Sequence, residues 1–328
     1  MSRSKESFGF TGPRQRWSSC SQRRRCPICG GSSWCSVRAD GALVACRRDG
    51  HGQQREDKHG ETFWLHRGDG QPLTERELPP ECTANRASVD TLDETYRALL
   101  AMLPLVENHR DALRRRGLDD AAIARGGYRT LSGGGRTALG RALSERAVVE
   151  GVPGLYVAGT SWVVGGASGL LVPLRDLQGR IVALKIRRDD PNADPRYLYL
   201  SSTRHGGPSA VHALHVPVGI AAPVQLLRIT EGELKADVAT ELGGVPCVSV
   251  PGVGSWRLAL EAARALRAQR VQVAFDSDWR TKPPVARAAQ ALVEALAQSS
   301  IAATLLRWDE RLGKGLDDFF AAKLQRAA

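Results

Sequence analysis

The sequence has no apolar run that approaches the roughly 20 residues of a membrane-spanning helix. Its first residues are polar and lack the apolar core of a secretion signal. These absences argue against an integral membrane protein and against a secreted one. We therefore expect a cytoplasmic protein with no membrane partner, whose thiols stay reduced.

Two sequence signatures are also missing. The phosphate-binding Gly-Lys-Ser/Thr of a Walker A loop does not occur, and no long internal repeat is visible. The chain therefore contains no helicase motor of that type, and unwinding of a duplex would need a separate partner. With 328 residues the chain is long enough for a sizeable core and two or three domains.

Acidic residues are scarce relative to basic ones. The chain has 46 Lys and Arg against 35 Asp and Glu, a formal net charge of +11. Residues 1–60 alone hold 12 basic residues against 5 acidic ones. A protein this basic favours polyanions, and nucleic acid is the first expectation. The alternative for the N-terminal excess is a solvated, partly disordered tail.

Four of the seven cysteines fall within 21 residues, at positions 26, 29, 35 and 46. Cys26-x-x-Cys29 followed by glycine is typical of a zinc knuckle. The run from Cys35 to Cys46 predicts a hairpin around Asp40-Gly41, which would bring its two ends together. We therefore predict a structural zinc site formed by Cys26, Cys29, Cys35 and Cys46. Free surface thiols are the alternative, and other candidates for one ligand are Cys20, His51 and His59.

Basic and aromatic residues flank this cysteine module. Arg23–Arg25, Arg47 and Arg48 surround it, and Trp34 and Trp64 supply aromatic rings. Arginines with exposed aromatic rings suit single-stranded nucleic acid, through backbone charge and base stacking. For Trp34, however, we expect packing in the small core of the module.

The middle of the chain changes from helical to strand-rich patterns. Residues 91–127 are helical, with a break at Pro104, a turn at Gly117 and a helix capped by Asp119 or Asp120. Residues 152–205 are rich in strands, and LLVPLRD-LQG-RIVALKIR predicts a hairpin. Its alternation places Lys185 and Arg187 on one face.

From residue 224 onwards, short apolar runs alternate strictly with helical segments. This alternation predicts a parallel sheet covered by helices, with ligands at the carboxyl ends of its strands. Glu231, Asp276 and Asp278 follow the first and third of these strands. Carboxylate oxygens gathered at one edge are typical ligands for Mg²⁺ and indicate phosphoryl transfer. Glu233 and Asp237 are expected on the solvated surface of the first helix.

The predicted organisation has five parts. The sequence divides into a disordered basic tail (1–19), a zinc ribbon (20–66), a linker (67–90), a mixed α+β basic subdomain (91–222) and a parallel α/β domain (223–328).

The acidic segments resemble a known family. Thr230-Glu231-Gly232, Asp276-Ser277-Asp278 and the final GKGLDD are similar to the motifs of the Toprim domain, a Rossmann-like parallel sheet found in primases, topoisomerases and some nucleases. A zinc ribbon, a linker, a basic strand-rich segment and then Toprim is the order of bacterial and phage primases. The resemblance extends from about residue 26 to 320. The chain is also similar to a Toprim-associated, primase-like family of proteins from mobile elements.

The resemblance implies roles for individual residues. Glu231, Asp276 and Asp278 would bind Mg²⁺ or Mn²⁺, and Asp317 matches the last acid of the C-terminal motif. The residues implied in binding nucleotide or template phosphates are Lys185, Arg187, Arg188, Lys235 and Lys314. Two positions depart from the pattern, since Gly315 and Lys235 stand where many members carry an acid.

These features predict a primase of a phage, plasmid or other mobile element. It would make short primers on single-stranded DNA from nucleoside triphosphates. A separate replicative helicase is the expected partner. One alternative is a Toprim nuclease, in which water is the attacking group. Another is a non-catalytic zinc-ribbon and Toprim protein that binds DNA.

Overall fold

The architecture comes from a computed structural model. It describes residues 17–32, 34–50, 52–56, 62–69, 86–193, 195–277 and 282–327. The chain forms two compact units: residues 1–55 with 63–79, and residues 56–62 with 80–328. Among the described residues, no helix has the length and apolar character needed to cross a membrane.

The N-terminal unit is built on a five-stranded sheet with the order β1-β2-β3-β5-β4. The predicted hairpin is confirmed, because β2 and β3 pair in antiparallel fashion on either side of Gly41, whose φ is +75°. The strands are β1 (Trp17–Ser19), β2 (Ser36–Arg38), β3 (Leu43–Cys46), β4 (Gln53–Glu56) and β5 (Thr62–Arg67).

Trp34 and Trp64, the two tryptophans that accompany the cysteine module, lie in different environments. Trp64 is buried at 5% exposure, whereas Trp34 is 58% exposed and has a φ of +70°. The predicted core position of Trp34 is therefore wrong. The thiol-rich core that forms instead contains Val37 and Val44 beside the cysteines, and it leaves the Trp34 ring in solvent.

The first helices of the second unit are α1 (Val89–Ala101), α2 (Glu107–Arg114) and α3 (Asp120–Gly126), and α4 (Arg136–Ser144) follows after one short strand. The break predicted at Pro104 lies between α1 and α2. The cap of α3 is Asp119, whose carboxylate accepts a hydrogen bond from the backbone N–H of Ala122. Gly127 ends that helix with a φ of +72°, which glycine adopts without steric cost.

A four-stranded antiparallel sheet follows, in the order β11-β10-β9-β6. The predicted hairpin is its centre, and Lys185 of β10 lies opposite Val172 of β9. Every residue of β9 is buried, because helices cover both faces of the sheet. The strands are β6 (Arg129–Leu131), β9 (Gly169–Arg175), β10 (Ile181–Arg188) and β11 (Tyr197–Tyr199), and a separate hairpin joins β7 (Leu155–Ala158) to β8 (Ser161–Val164).

The C-terminal part is a parallel sheet in the order β13-β12-β14-β15, as the βα alternation predicts. Its core is rich in Val, Leu, Ile and Ala on both faces, as expected for a sheet covered by helices. The elements are β12 (Leu226–Glu231), α5 (Glu233–Gly243), β13 (Cys247–Val250), α6 (Trp256–Ala265), β14 (Arg270–Val273), α7 (Pro283–Gln298), β15 (Ala302–Leu305) and α8 (Leu316–Ala327).

Candidate active site and zinc site

The four sulfur atoms of Cys26, Cys29, Cys35 and Cys46 lie within 4.8 Å of one another. The Cys29–Cys35 and Cys35–Cys46 sulfur distances are 3.7 and 3.9 Å. Four thiolates arranged tetrahedrally around zinc, each about 2.3 Å from the metal, would have sulfurs about 3.8 Å apart. The cluster therefore has the dimensions of a four-cysteine zinc site.

Hydrogen-bond donors surround these sulfurs. The backbone N–H of Arg47 donates to Cys35 Sγ and that of Arg48 to Cys46 Sγ, each at 3.5 Å. The guanidinium of Arg48 also lies 3.8 Å from Cys35 Sγ and 3.9 Å from Cys29 Sγ. Hydrogen bonds, chiefly from Cys46, lower the pKa of Cys35 to about 5. The donors therefore favour the thiolate form of Cys35, whereas burial raises the pKa of Cys26 and the hydrogen bond with Cys35 raises that of Cys46, so zinc would have to displace protons from these two thiols.

The alternative ligands are placed differently. Cys20 is buried in the same small core, but its sulfur is not part of the four-sulfur cluster. His51 and His59 lie outside the described residues.

The candidate active site lies at the carboxyl edge of the parallel sheet. Glu231 is the last residue of β12, and Asp276 follows β14, the strand adjacent to it. Burial and the nearby Asp276 carboxylate raise the pKa of Glu231. The structure therefore brings these two predicted residues together, while Asp278 lies outside the described residues.

Two lysines contact the Asp276 carboxylate. Lys235 of α5 forms an ion pair with Oδ1, and Lys314 Nζ lies 3.8 Å from Oδ2. The backbone N–H of Ser277 donates to the Lys314 carbonyl at 3.0 Å, which holds the two loops together. Both lysines that were predicted at this edge thus lie beside Asp276.

Asp317 joins the same cluster from the first turn of α8. Its carboxylate is 4% exposed, and Oδ2 accepts a hydrogen bond of 2.7 Å from the guanidinium of Arg116. Oδ1 has no hydrogen-bond partner among the described residues. A Cβ atom on Gly315 would lie only 2.4 Å from that oxygen. Burial raises the pKa of Asp317, and Arg116 acts in the opposite direction.

Lys185 reaches this edge from the antiparallel sheet. Its Nζ lies 2.6 Å from Glu233 Oε1, and both side chains are nearly buried. The ammonium also lies 4.6 Å from the centre of the Tyr199 ring. The expected solvated position of Glu233 is therefore wrong, because this residue joins α5 to β10 through a buried ion pair.

The expected position of Asp237 is wrong for a similar reason. Its Oδ2 accepts a hydrogen bond of 2.5 Å from the Tyr128 hydroxyl, and its Oδ1 lies 3.0 Å from His215 Nε2. His215 Nδ1 accepts from the backbone N–H of Arg175, so Nε2 carries the proton that Asp237 accepts. These buried hydrogen bonds tie α5 to the strand-rich subdomain and hold the two halves of the site in place.

Arg187 and Arg188, the other two residues predicted to bind phosphates, lie in different surroundings. Arg187 lies near Tyr197 and Arg116, and the Nε of its half-buried guanidinium has no hydrogen-bond partner among the described residues. Burial lowers the pKa of Arg187, and the positive charges of Arg196 and Arg116 lower it further. Arg188 instead lines a separate cavity of about 580 Å³ with Arg204 and the stacked rings of Tyr156 and His205.

Comparisons with known proteins agree with this architecture. Residues 220–327 match a family described as "Domain of unknown function (DUF3854)". The zinc-binding and RNA polymerase domains of Aquifex aeolicus primase superpose with a TM-score of 0.56 at 13% identity, over 90% of this chain and 74% of that one. The chain has a primase fold.

Other structures support the same conclusion. The RNA polymerase domain of Mycobacterium tuberculosis DnaG in complex with double-stranded DNA gives a TM-score of 0.55 at 17% identity, over 73% of this chain and 80% of that one. A DnaG catalytic domain bound to single-stranded DNA gives 0.50 at 17% identity, over 73% and 77%. The curated proteins give no match to the sequence.

Within this primase fold, the sequence did not indicate the site positions of Arg116 and His215. Arg116 was assigned only to a helical segment, although the run Arg114–Arg116 before Gly117 marked a basic helix end. His215 gave no signal, because a single histidine between a polar loop and the first parallel strand has no motif. Both contacts join residues that are distant in the chain, so spacing alone gives no hint of them.

Proposed function

We propose that the chain is a Toprim-type primase that synthesises short primers on single-stranded DNA by metal-dependent nucleotidyl transfer. The observation that carries this proposal is the meeting of Glu231 and Asp276 at the carboxyl edge of a parallel sheet within a primase fold. That edge is where α/β sheets collect ligands.

The acidic cluster fits a divalent cation. Glu231 and Asp276 face each other, and Lys235, which pairs with Asp276, also acts on Asp317, whose buried Oδ1 has no hydrogen-bond partner among the described residues. Oxygen donors are the ligands that Mg²⁺ and Mn²⁺ prefer. A bound ion would supply Lewis-acid activation of the attacking 3′-hydroxyl and of the triphosphate. We include Asp278 among the proposed metal ligands on the basis of the sequence alone.

The basic residues would hold the phosphates. Arg116 pairs with Asp317, and Arg187 lies close to Arg116 with a buried Nε that has no partner among the described residues. Lys235 and Lys314 add charge at Asp276, and Lys185 orients Glu233 next to Glu231. These groups orient the triphosphate and stabilise the charge that develops on it. Arg188, beside the stacked Tyr156 and His205, suits a template nucleotide.

The proposed partners are single-stranded DNA, nucleoside triphosphates and a separate replicative helicase, in a phage, plasmid or other mobile element. The zinc ribbon would bind the template, since Trp34 is exposed next to Cys35 and a run of arginines precedes the module. Zinc there would be structural, because a closed four-cysteine site leaves no open position for substrate.

The test is a primer-synthesis assay on single-stranded templates with labelled nucleotides and Mg²⁺ or Mn²⁺. Wild type should give short oligonucleotides, and Asp276→Asn and Glu231→Gln should reduce their yield at least 100-fold, because each removes a charged metal ligand. Lys323→Met, which changes an exposed lysine of α8, should retain full yield. Primer synthesis that survives Glu231→Gln would refute the assignment of the site.

The ion pair between Lys235 and Asp276 favours a second candidate, a non-catalytic DNA-binding protein. A lysine at that carboxylate neutralises a group that a metal would otherwise use. This alternative predicts a salt-sensitive gel shift on single-stranded DNA that Asp276→Asn leaves unchanged, without primer synthesis. A nuclease of the same fold would degrade the template in the absence of nucleotides.

A further inference from the structure

The cavity that Arg188 lines lies between the end of β10, the β8–β9 loop and the segment that follows β11. Its volume of about 580 Å³ is sufficient for a nucleotide, because ligand pockets in proteins typically measure roughly 300–1,000 Å³. Arg136, Arg188 and Arg204 line it, and none of the described residues in its wall is acidic. The cavity therefore suits an anion, and its described wall offers no carboxylate to a divalent metal.

Arg136 forms part of the wall rather than a ligand site. Its guanidinium donates hydrogen bonds to the backbone carbonyls of Gly165, at 2.7 Å, and Ala167, at 3.1 Å. Its Nε donates to the carbonyl of Ser132. These bonds hold the glycine-rich loop between β8 and β9 against the start of α4. The shape of the cavity is therefore set by the chain itself.

Arg188 and Arg204 remain available to a ligand. Arg204 is exposed, and half-buried Arg188 donates a long hydrogen bond of 3.4 Å to the carbonyl of Pro195. Neither guanidinium forms an ion pair with a carboxylate of the described residues. The carboxylate of Asp189, next to Arg188 in the chain, instead accepts a hydrogen bond from His109 Nε2 at 2.8 Å or pairs with it. Arginines placed in this way can bind phosphate with two hydrogen bonds each.

An aromatic pair supplies another part of the wall. The rings of Tyr156, in β7, and His205 are stacked, with centroids 3.6 Å apart and planes 2° apart. Nucleobases stack favourably on aromatic side chains, largely regardless of base identity. Stacked rings and two arginines in one cavity match the two parts of a nucleotide, the base and the phosphate.

The cavity is distinct from the acidic cluster. Successive side chains of a strand point to opposite faces of the sheet, so Arg188 lies on the face of Ile186, whereas Lys185 and Arg187 lie on the other face. The Tyr199 ring, 4.6 Å from the Lys185 ammonium, belongs to the edge strand β11 and also lines the cavity. The two sites are therefore neighbours that use different faces of the antiparallel sheet.

We infer that this cavity binds one nucleotide without a divalent metal, with the base against the Tyr156–His205 stack and the phosphate at Arg188 and Arg204. The inference deepens the proposed function and rests on it only in taking a nucleotide as the ligand. A free nucleotide and one nucleotide of a single DNA strand have the same chemistry. The experiment therefore compares both sources.

The experiment is calorimetric titration of the full, zinc-loaded chain with ATP and with a short oligothymidylate, in buffer without Mg²⁺ or Mn²⁺. At least one of the two should bind to the wild type. Arg188→Met, Arg204→Met and Tyr156→Leu should each weaken that binding about tenfold or more, because each removes a charged hydrogen bond or a stacking surface. Arg141→Met, which changes an exposed arginine of α4 outside the cavity, is the matched control and should bind as wild type. Glu231→Gln should also bind as wild type.

A loss of affinity confined to ATP identifies a free nucleotide as the ligand, and a loss confined to oligothymidylate identifies a nucleotide of the strand. Three results would overturn the inference: no binding of either probe, binding that appears only with Mg²⁺, or the same affinity in wild type, Arg188→Met and Arg204→Met. Circular dichroism identifies a variant that does not fold, and the exposed position of Arg204 makes Arg204→Met decisive in that case.

Primer synthesis is measured separately. A chain that binds nucleotide in this way but makes no primers would refute the proposed function and leave the assignment of the cavity intact. A chain that makes primers but binds neither probe without Mg²⁺ would refute only the assignment of the cavity.

Discussion

The guanidinium of Arg116, at the end of a basic helical segment, donates a 2.7 Å hydrogen bond to the buried carboxylate of Asp317, 201 residues further along the chain. This contact joins the helical start of the unit to the last helix of the parallel sheet domain. It also satisfies one oxygen of a buried carboxylate whose other oxygen has no hydrogen-bond partner among the described residues.

We predict that Arg116→Ala destabilises the protein by about 1–3 kcal/mol, because it leaves the Asp317 carboxylate buried and unpaired. The measurement is urea unfolding. Arg115→Ala, which removes an exposed neighbouring guanidinium, should change stability by less than about 0.5 kcal/mol. Equal effects of the two substitutions would contradict a structural role for the ion pair.

The same variant should show a defined pH dependence. Burial raises the pKa of Asp317 in the folded protein, so this acid favours folding most at low pH and its contribution falls as pH rises through the folded pKa. Arg116 lowers that pKa, and its removal raises it further. The destabilisation by Arg116→Ala should therefore be larger at about pH 7 than at about pH 4. A loss of stability that is independent of pH would show that packing is responsible instead.

Lys185→Met should destabilise the protein by about 3–5 kcal/mol, because it leaves Glu233 buried without its partner. The double variant Lys185→Met with Glu233→Leu should recover much of this loss, since apolar residues can replace a buried pair. Unfolding in urea measures both. Arg110→Met, which breaks exposed ion pairs, is the control and should cost at most about 1 kcal/mol. A double variant as unstable as the single one would argue against a buried pair.

Gly315→Ala should destabilise the protein by about 1–3 kcal/mol, because the new Cβ would lie 2.4 Å from Asp317 Oδ1 and force that carboxylate to move. The yield of primers should fall with it. Thermal denaturation and the primer assay provide the two measurements. Gly252→Ala is the control, since a Cβ there meets no atom within 4 Å and its φ is −177°. An alanine at 315 that changes neither property would mean that Asp317 has room to move.

The purified chain should contain one zinc ion, which a strong chelator removes together with the fold of the N-terminal unit. Cys29→Ser and Cys35→Ser should each abolish stoichiometric zinc, whereas Cys20→Ser should retain it, because the Cys20 sulfur lies outside the four-sulfur cluster. Elemental analysis by mass spectrometry gives the metal content. If Cys20→Ser lost zinc and Cys35→Ser kept it, Cys20 and not Cys35 would be the fourth ligand, and the proposed ligand set would be wrong.

Several elements were predicted well because their signals are local. The alternation after residue 224 gave all four parallel strands and their helices, since strand and helix periodicities depend on neighbouring residues. Asp119 and Gly117 marked a cap and a turn for the same reason. The cysteine spacing located the four-sulfur cluster, because a two-residue gap and a hairpin both act over short distances.

The environments of other residues were predicted wrongly or not at all, because packing between elements that are distant in the sequence decides them. Glu233 and Trp34 illustrate this: a glutamate on a helix looks solvated until β10 brings Lys185 against it, and a tryptophan beside a cysteine looks buried until the sulfurs fill the small core. Burial of a side chain depends on which other element covers it, and that element is remote in sequence.

The amino-acid sequence by itself determined the parallel strands and helices after residue 224, the central hairpin of the antiparallel sheet and the carboxylates that follow parallel strands, because periodicity and strand-end position are properties of short segments. Only the tertiary structure decided that Arg116 pairs with Asp317, that Lys185 pairs with Glu233, and that Lys235 contacts Asp276 through the space left by Gly315. The physical reason is that Coulomb interactions and steric exclusion act over a few ångströms in space, regardless of separation along the chain.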